Sequence, residues 1–184
     1  MLLRSSPSVP CQTPQIDDAL QRLLDEQAIR RLLVDYCRGV DRGDEALVAS
    51  VYHPDATDDH GRFKGTGLDF AAYAVSRLTE RYEGTMHSIT NTVIDFAGPD
   101  LAHGESHVCA RHWREDEEGS WMETFGGRYV DRFERRAGEW KIADRVVVHE
   151  WSTLEPVTAA FPAERFVQGR RDGDDASYQG RGRV

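Results

Sequence analysis

Three side chains far apart in the chain, Asp41, His87 and Arg145, are of the types that move a proton together. A carboxylate that accepts one imidazole N–H fixes the tautomer. It also raises the basicity of the other nitrogen and stabilises the imidazolium that forms. An arginine adds a permanent positive charge. The stretch "DYCRGVDRGD" (35–44) places Asp41 at the end of an amphipathic helix, on the edge of its buried face. There it meets the negative end of the helix macrodipole and loses hydration, so it needs partners. Each residue also has an ordinary reading. An aspartate in "DRGD" fits a solvated turn, a strand histidine is more often structural, and a strand arginine usually faces water.

The elements that must position these groups follow from periodicity. Ile29, Leu32, Leu33, Tyr36 and Val40 fall on one helical stripe, with Cys37 and Asp41 a turn apart along its edge. The helix starts at Ile16 and breaks at "DRGD", where Asp44 can cap a short second helix, "EALVASVY". "HPDATDDHGRFKG" is rich in Pro, Gly and Asp and reads as a loop or irregular hairpin, and 67–82 reads as a third helix. Four strands follow, roughly 86–96, 104–114, 122–134 and 139–151, separated by the short turns "AGPD", "EDEEGS" and "RRAG". Helices first and an antiparallel meander after them give an α+β class. The expected division is a tail over 1–15, one domain over 16–153 and an extended tail over 154–184 that packs on the domain or on a partner chain.

Alternation assigns faces. His87, Ile89, Asn91 and Val93 share one face of their strand. Ala143, Arg145, Val147, His149 and Trp151 share one face of the last strand, with Trp140, Ile142, Val146 and Val148 on the other. Both faces are partly apolar. One can cover the helices and a cavity, and the other can meet a second subunit. "FGGRY" (125–129) puts a glycine pair inside a strand, the sign of a bulge or a close approach.

Composition narrows the function. The chain of 184 residues carries a formal charge of −9, and its basic residues are scattered or interleaved with acids. Nucleic acid and anionic membranes are therefore poor partners. Three well-separated cysteines, Cys11, Cys37 and Cys109, make no disulfide framework and suit a reducing compartment. No secretory leader or spanning segment is evident, so a cytoplasmic protein is expected. Seven histidines invite a metal, but neither His53, Asp59 and His60 nor His103, His107 and His112 have a recognised ligand spacing. No metal and no cofactor are expected. There is no G-x-S-x-G elbow, dinucleotide fingerprint or P-loop.

Four pieces in order resemble one family. They are "IRRLLVDYCRGVDRGD" with its aromatic residue before "GVD", the loop "YHPDATDDHGRFKG", the strand start "HSITN", and the hairpin "YVDRFERRAGEWKIADR". From Ile29 to Trp151 the chain resembles the SnoaL-like branch of the NTF2-like superfamily. That branch includes hexachlorocyclohexane dehydrochlorinase, bile-acid 7α-dehydratase and scytalone dehydratase. The resemblance implies a cone, a curved antiparallel sheet wrapped around the N-terminal helices over an internal pocket. It puts an Asp–His dyad on Asp41 and His87, the pocket arginine on Arg145, and a tyrosine that binds a substrate oxygen on Tyr36. It implies a cofactor-independent lyase that eliminates, as in dehydration, or cleaves by retro-aldol chemistry. Ile89, Asn91, Tyr129, Val147, His149, Trp151 and His60 are the expected substrate-binding residues, around a small apolar cyclic or aromatic substrate. A homo-oligomer is expected, a trimer before a dimer. The fold also carries non-catalytic subunits, small-molecule binding modules and steroid-type isomerases. A binding module would leave Asp41 and His87 out of contact or exposed.

Overall fold

The computed structural model of the protein describes residues 14–158 and 162–179. The expected N-terminal tail therefore falls mostly outside the described residues. Helix α1 (Pro14–Arg42) starts two residues before the expected Ile16. Its buried face carries Ile29, Leu33, Tyr36, Cys37 and Val40, the stripe that the spacing marked. The helix stops at Gly43, whose φ of +65° belongs to the left-handed region that glycine reaches without strain. Asp44 then accepts from the Leu47 N–H at 3.0 Å and caps α2 (Glu45–Ser50). The chain can fold back this tightly because Gly39 has no Cβ. One would stand 2.6 Å from Val48 Cγ2 and 2.9 Å from the Val48 backbone nitrogen.

The segment read as a loop or irregular hairpin forms β1 (Tyr52–Asp59) and the short β2 (Lys64–Thr66), paired antiparallel. Helix α3 (Gly67–Arg81) follows, capped by the Thr66 side chain. The meander is β3 (Gly84–Phe96), β4 (Leu101–Asp116), β5 (Gly119–Arg136) and β6 (Glu139–Pro156). The sheet order is β2-β1-β6-β5-β4-β3, with β1 parallel to β6. Among the described residues, three α-helices and a curved, unclosed six-stranded sheet make the α+β cone. The core lies between α1, α3 and the inner face of the sheet, where Ala102, Val108, Ala110, Tyr129, Phe133 and Ile142 meet the helix stripe.

Simple alternation fails at three bulges. In β6, Arg132 faces Asp144 but Phe133 faces Ile142, so Ala143 is an extra residue. Trp140 and Ile142 therefore lie on the same inner side as Arg145, not opposite it, and both are buried. A second shift sets His149 against Gly127 but Trp151 against Gly126. It turns Trp151 to the outer side, beside His107, Arg128 and Glu150. In β3, Ile89 faces Val108 and Thr92 faces Ser106, which inverts the strand between them. Val93 becomes 57% exposed and Asn91 is exposed as well. A one-residue insertion exchanges faces because the side-chain period is two.

Beyond β6, residues 162–179 return across α1 and α3. Arg171 donates to the carbonyls of Leu78 and Tyr82 at 3.0 and 2.7 Å, at the end of α3. The Tyr178 hydroxyl donates to Asp44, and Arg38 lies over the Tyr178 ring.

Candidate active site

Asp41 is brought to the sheet by the last turn of α1, and β3 supplies everything that binds it. His87 Nδ1–H donates to Asp41 Oδ1 at 2.7 Å, and the His87 backbone N–H donates to Oδ2 at 2.8 Å. The Thr85 hydroxyl adds a third bond at 3.0 Å. Three donors from one strand thus offset an unfavourable helix-end position, since a buried carboxylate is tolerated where its lone pairs are filled. Both side chains are about nine-tenths buried. With Nδ1–H committed to Asp41, neutral His87 carries its lone pair on Nε2. Among the described residues, no protein group bonds to that nitrogen. The ring stands edge-on to His112, with centroids 5.4 Å apart. Burial, helped by the His87 ring, lowers His112 to about 4. Cys37, one turn before Asp41, is a neutral thiol that burial pushes up to about 12.

Arg145 sits deeper. It is fully buried between the rings of Tyr36 and Tyr129, 4.4 and 4.1 Å from their centroids. Its Nε and Nη2 donate to the two oxygens of Asp131 at 2.7 and 2.8 Å. Burial opposes the guanidinium charge, Asp131 outweighs it, and Arg145 is held protonated. One row across the inner sheet runs Asp58, Arg145, Asp131, Gly104, so two carboxylates flank the guanidinium. The expected free positive charge facing Asp41 and His87 is therefore absent. Arg145 is neutralised in place, and only Nη1 is left without a partner.

A second carboxylate-bound imidazole lies on β1 and the loop after it. Asp58, 1% exposed, accepts from the Tyr52 hydroxyl at 2.7 Å and from His60 Nδ1–H at 2.6 Å. His60 Nε2 meets the Tyr36 hydroxyl at 3.4 Å, and its ring stacks on Phe70 at 4.1 Å. Burial lowers His60, only partly opposed by Asp58. Burial also raises the Tyr36 phenol well above its ordinary value, so it stays a neutral donor.

The other expected binding residues divide. Tyr129 is buried against Tyr36, while Ile89 and Val147 pack on the core. His149 is exposed beside Phe125, Trp151 is 51% exposed on the outer side, and Asn91 faces solvent. These last three are not brought to the site. Thr85, His112, Asp131, Asp58 and Tyr52 were missed. Alternation in β4, with Ala102, Val108 and Ala110 inside, marks His112 as inner. Alternation in β5, with Tyr129 and Phe133 inside, likewise marks Asp131 as inner. Among the described residues, no group of three or more His, Cys, Asp or Glu side chains is placed to hold a metal ion.

Known proteins resemble this chain in sequence and in fold. The family model described as a SnoaL-like domain matches residues 21–146. Hexachlorocyclohexane dehydrochlorinase 1 of Sphingobium indicum is 32% identical over 130 residues, spanning 67% of this chain and 80% of the relative. A crystal structure of the type 3 hexachlorocyclohexane dehydrochlorinase from Novosphingobium barchaimii superposes with a TM-score of 0.68 at 26% identity, covering 78% of this chain and 99% of that one. A provisionally named scytalone dehydratase from Novosphingobium aromaticivorans gives 0.66 at 26% identity, covering 81% and 99%. With a matching model over most of its length, a curved sheet around α1 and these relatives, the chain belongs to the SnoaL-like domain family of the NTF2-like fold.

Proposed function

We propose that the protein is a cofactor-independent lyase that uses His87 as its general base. The observation that carries this reading is the 2.7 Å bond from His87 Nδ1 to Asp41 in a nearly dry setting. A carboxylate that fixes one imidazole nitrogen and leaves the other open is the arrangement a general base needs. The names of the relatives, a dehydrochlorinase and a dehydratase, point to elimination as the reaction class.

In this reaction His87 Nε2 takes a proton from a carbon of the substrate. The C–H electron pair becomes the new C=C bond, and the carbon–oxygen or carbon–halogen bond breaks with its pair on the leaving group. A departing hydroxide takes the proton back from the His87 imidazolium and leaves as water. A halide leaves unprotonated, and solvent discharges the ring. Asp41 stabilises the imidazolium throughout. Tyr36 is the neutral donor for charge that develops on a substrate oxygen, and the free Nη1 edge of Arg145 adds a second donor. A positioned base contributes about 10²–10⁴-fold, and Asp41 sets how much of that is realised. Tyr36, Tyr129, Ile89 and Val147 make the interior apolar and aromatic, which suits a cyclic or aromatic substrate. Retro-aldol cleavage needs the same base on a hydroxyl and is the second arm of the test.

The test is a turnover screen of cyclic β-hydroxy ketones, hydroxylated aromatic dimers and hexachlorocyclohexane, followed by mass spectrometry. His87→Ala and Asp41→Asn are run beside the native protein. Elimination or cleavage of one class is expected, falling by about 10²–10⁴ in His87→Ala. Turnover that His87→Ala leaves unchanged, in a folded variant, would remove the reading.

A further inference from the structure

A positioned base needs more than a carboxylate that orients it. Asp41, bonded to His87 Nδ1 at 2.7 Å, favours the imidazolium as well as the tautomer. An imidazolium cannot accept a proton, so a base held this way needs an opposing positive charge close to the carboxylate. The resemblance points to Arg145, but Asp131 cancels it. The other titratable groups around the pair bring no free charge. Burial keeps His112, Cys37 and His60 neutral. On β5 Glu123 is bound by Arg81 and Arg114, and on α1 Arg42 faces Asp175 at 3.5 Å.

Arg171 is different. It belongs to the C-terminal segment, beyond residues 21–146 that the family model matches. It packs on Gly43, two residues after Asp41, where a Cβ on the glycine would stand 3.5 Å from Arg171 Cβ. Its Nη1 donates to the carbonyls of Leu78 and Tyr82, and Tyr82 leads into the strand whose Thr85 and His87 bind Asp41. Arg171 is thus tied to both stretches that position the carboxylate, the turn after α1 and the approach to β3. Both of its bonds go to neutral carbonyls, and Nη2 is buried without a partner among the described residues. Burial works against the guanidinium charge, and Asp41 favours it more than any other group does, ahead of Glu83. We propose that Arg171 is a positioning residue of the active site, whose charge offsets the pull of Asp41 on His87 and so keeps the imidazole neutral and able to take a proton. The lyase reading supplies the purpose of this arrangement, but the coupling is measurable without turnover.

The test follows the pH titration of the Asp41 carboxyl carbon and the His87 imidazole nitrogens by NMR, in the full chain without substrate. The native protein is compared with Arg171→Gln, which keeps an N–H for the carbonyls and loses the charge, and with Arg171→Lys, which keeps the charge. A nearby positive charge disfavours the protonated form of either group, so its loss should move both steps of the pair to higher pH. The expected shift is about 0.3–1 pH unit in Arg171→Gln, with Arg171→Lys staying close to the native protein. In the native protein the guanidinium nitrogen signals of Arg171 should show the same midpoints, a readout that needs no variant to fold. Unmoved or lowered midpoints in a folded Arg171→Gln, equal shifts in both variants, or native guanidinium signals blind to the pair would each overturn the proposal. With a substrate from the turnover screen, the acidic limb of kcat/KM should move upward in Arg171→Gln by the same amount. Turnover that His87→Ala leaves unchanged would remove the lyase reading and leave the coupling standing. Midpoints indifferent to Arg171 beside turnover that depends on His87 would sink the proposal and spare the lyase.

Discussion

Asp41 accepts from three groups of one strand, and Arg145 gives two of its three nitrogens to Asp131. These two commitments differ in what they withstand. Replacing Asp131 with Asn leaves a guanidinium buried without its counter-charge, so a loss of about 3–5 kcal/mol is expected in urea unfolding, against the 0–1 typical of a surface pair. His112 gives a pH signature. Burial lowers it to about 4 from 6.5, so the unfolded chain binds its proton first as pH falls. Stability from the neutral ring is present above the unfolded value and is lost as pH drops from 6.5 towards 4. His112→Gln should flatten that slope, by up to about 3 kcal/mol across the window. An unchanged slope would show that the ring is not buried neutral. Asp41 and His87 were legible in the sequence because each sits on a clean period, helical for one and alternating for the other. Asp58 was not, since an acid in a segment read as a loop or irregular hairpin reads as a wet residue, while Asp131 alternates with Tyr129 and Phe133 and was passed over as an acid.

At the scale of elements, the order of helices and meander could be read from turns and periodicity, but the faces could not be read throughout. Trp151 and Asn91 were placed in the pocket by alternation, and bulges in β6 and β3 move them out. The glycine pair that hinted at a bulge sits opposite the one that turns Trp151 outward, so the signal was present but not its direction. Strand β1 was also hidden, because Pro54 and a run of acids disguise a segment that pairs parallel to β6. The α1–α2 corner gives a test of packing. Alanine is the better helix former by about 1 kcal/mol, yet at Gly39 its Cβ meets the Val48 backbone, which cannot step aside. Gly39→Ala should therefore destabilise, by about 1–3 kcal/mol in thermal or chemical unfolding. A more stable variant would mean that the corner is looser than the distances state.

For the whole molecule, the family relation, the cone and the dyad are consistent with one another. Residues 162–179 bind the ends of α1 and α3 through Arg171, Arg42 and Tyr178, close to the turn that presents Asp41. Arg171→Ala should lower the melting temperature and raise amide exchange at the end of α3, and unaltered exchange there would separate this segment from the domain. On the outer sheet one row runs Val93, Glu105, Val130, Val146, and its three valines are 57%, 38% and 39% exposed. We propose self-association, for which light scattering should give a multiple of 20.8 kDa, and a monomer would contradict it. The central claim is that Asp41 holds His87 as a base with its lone pair on Nε2. The most direct measurement is the imidazole nitrogen spectrum of His87 in the native protein and in Asp41→Asn. The native protein should show a protonated, strongly hydrogen-bonded Nδ1 and a bare Nε2, with that preference lost in the variant. A proton on Nε2 of the native protein, or a tautomer indifferent to Asp41, would contradict it.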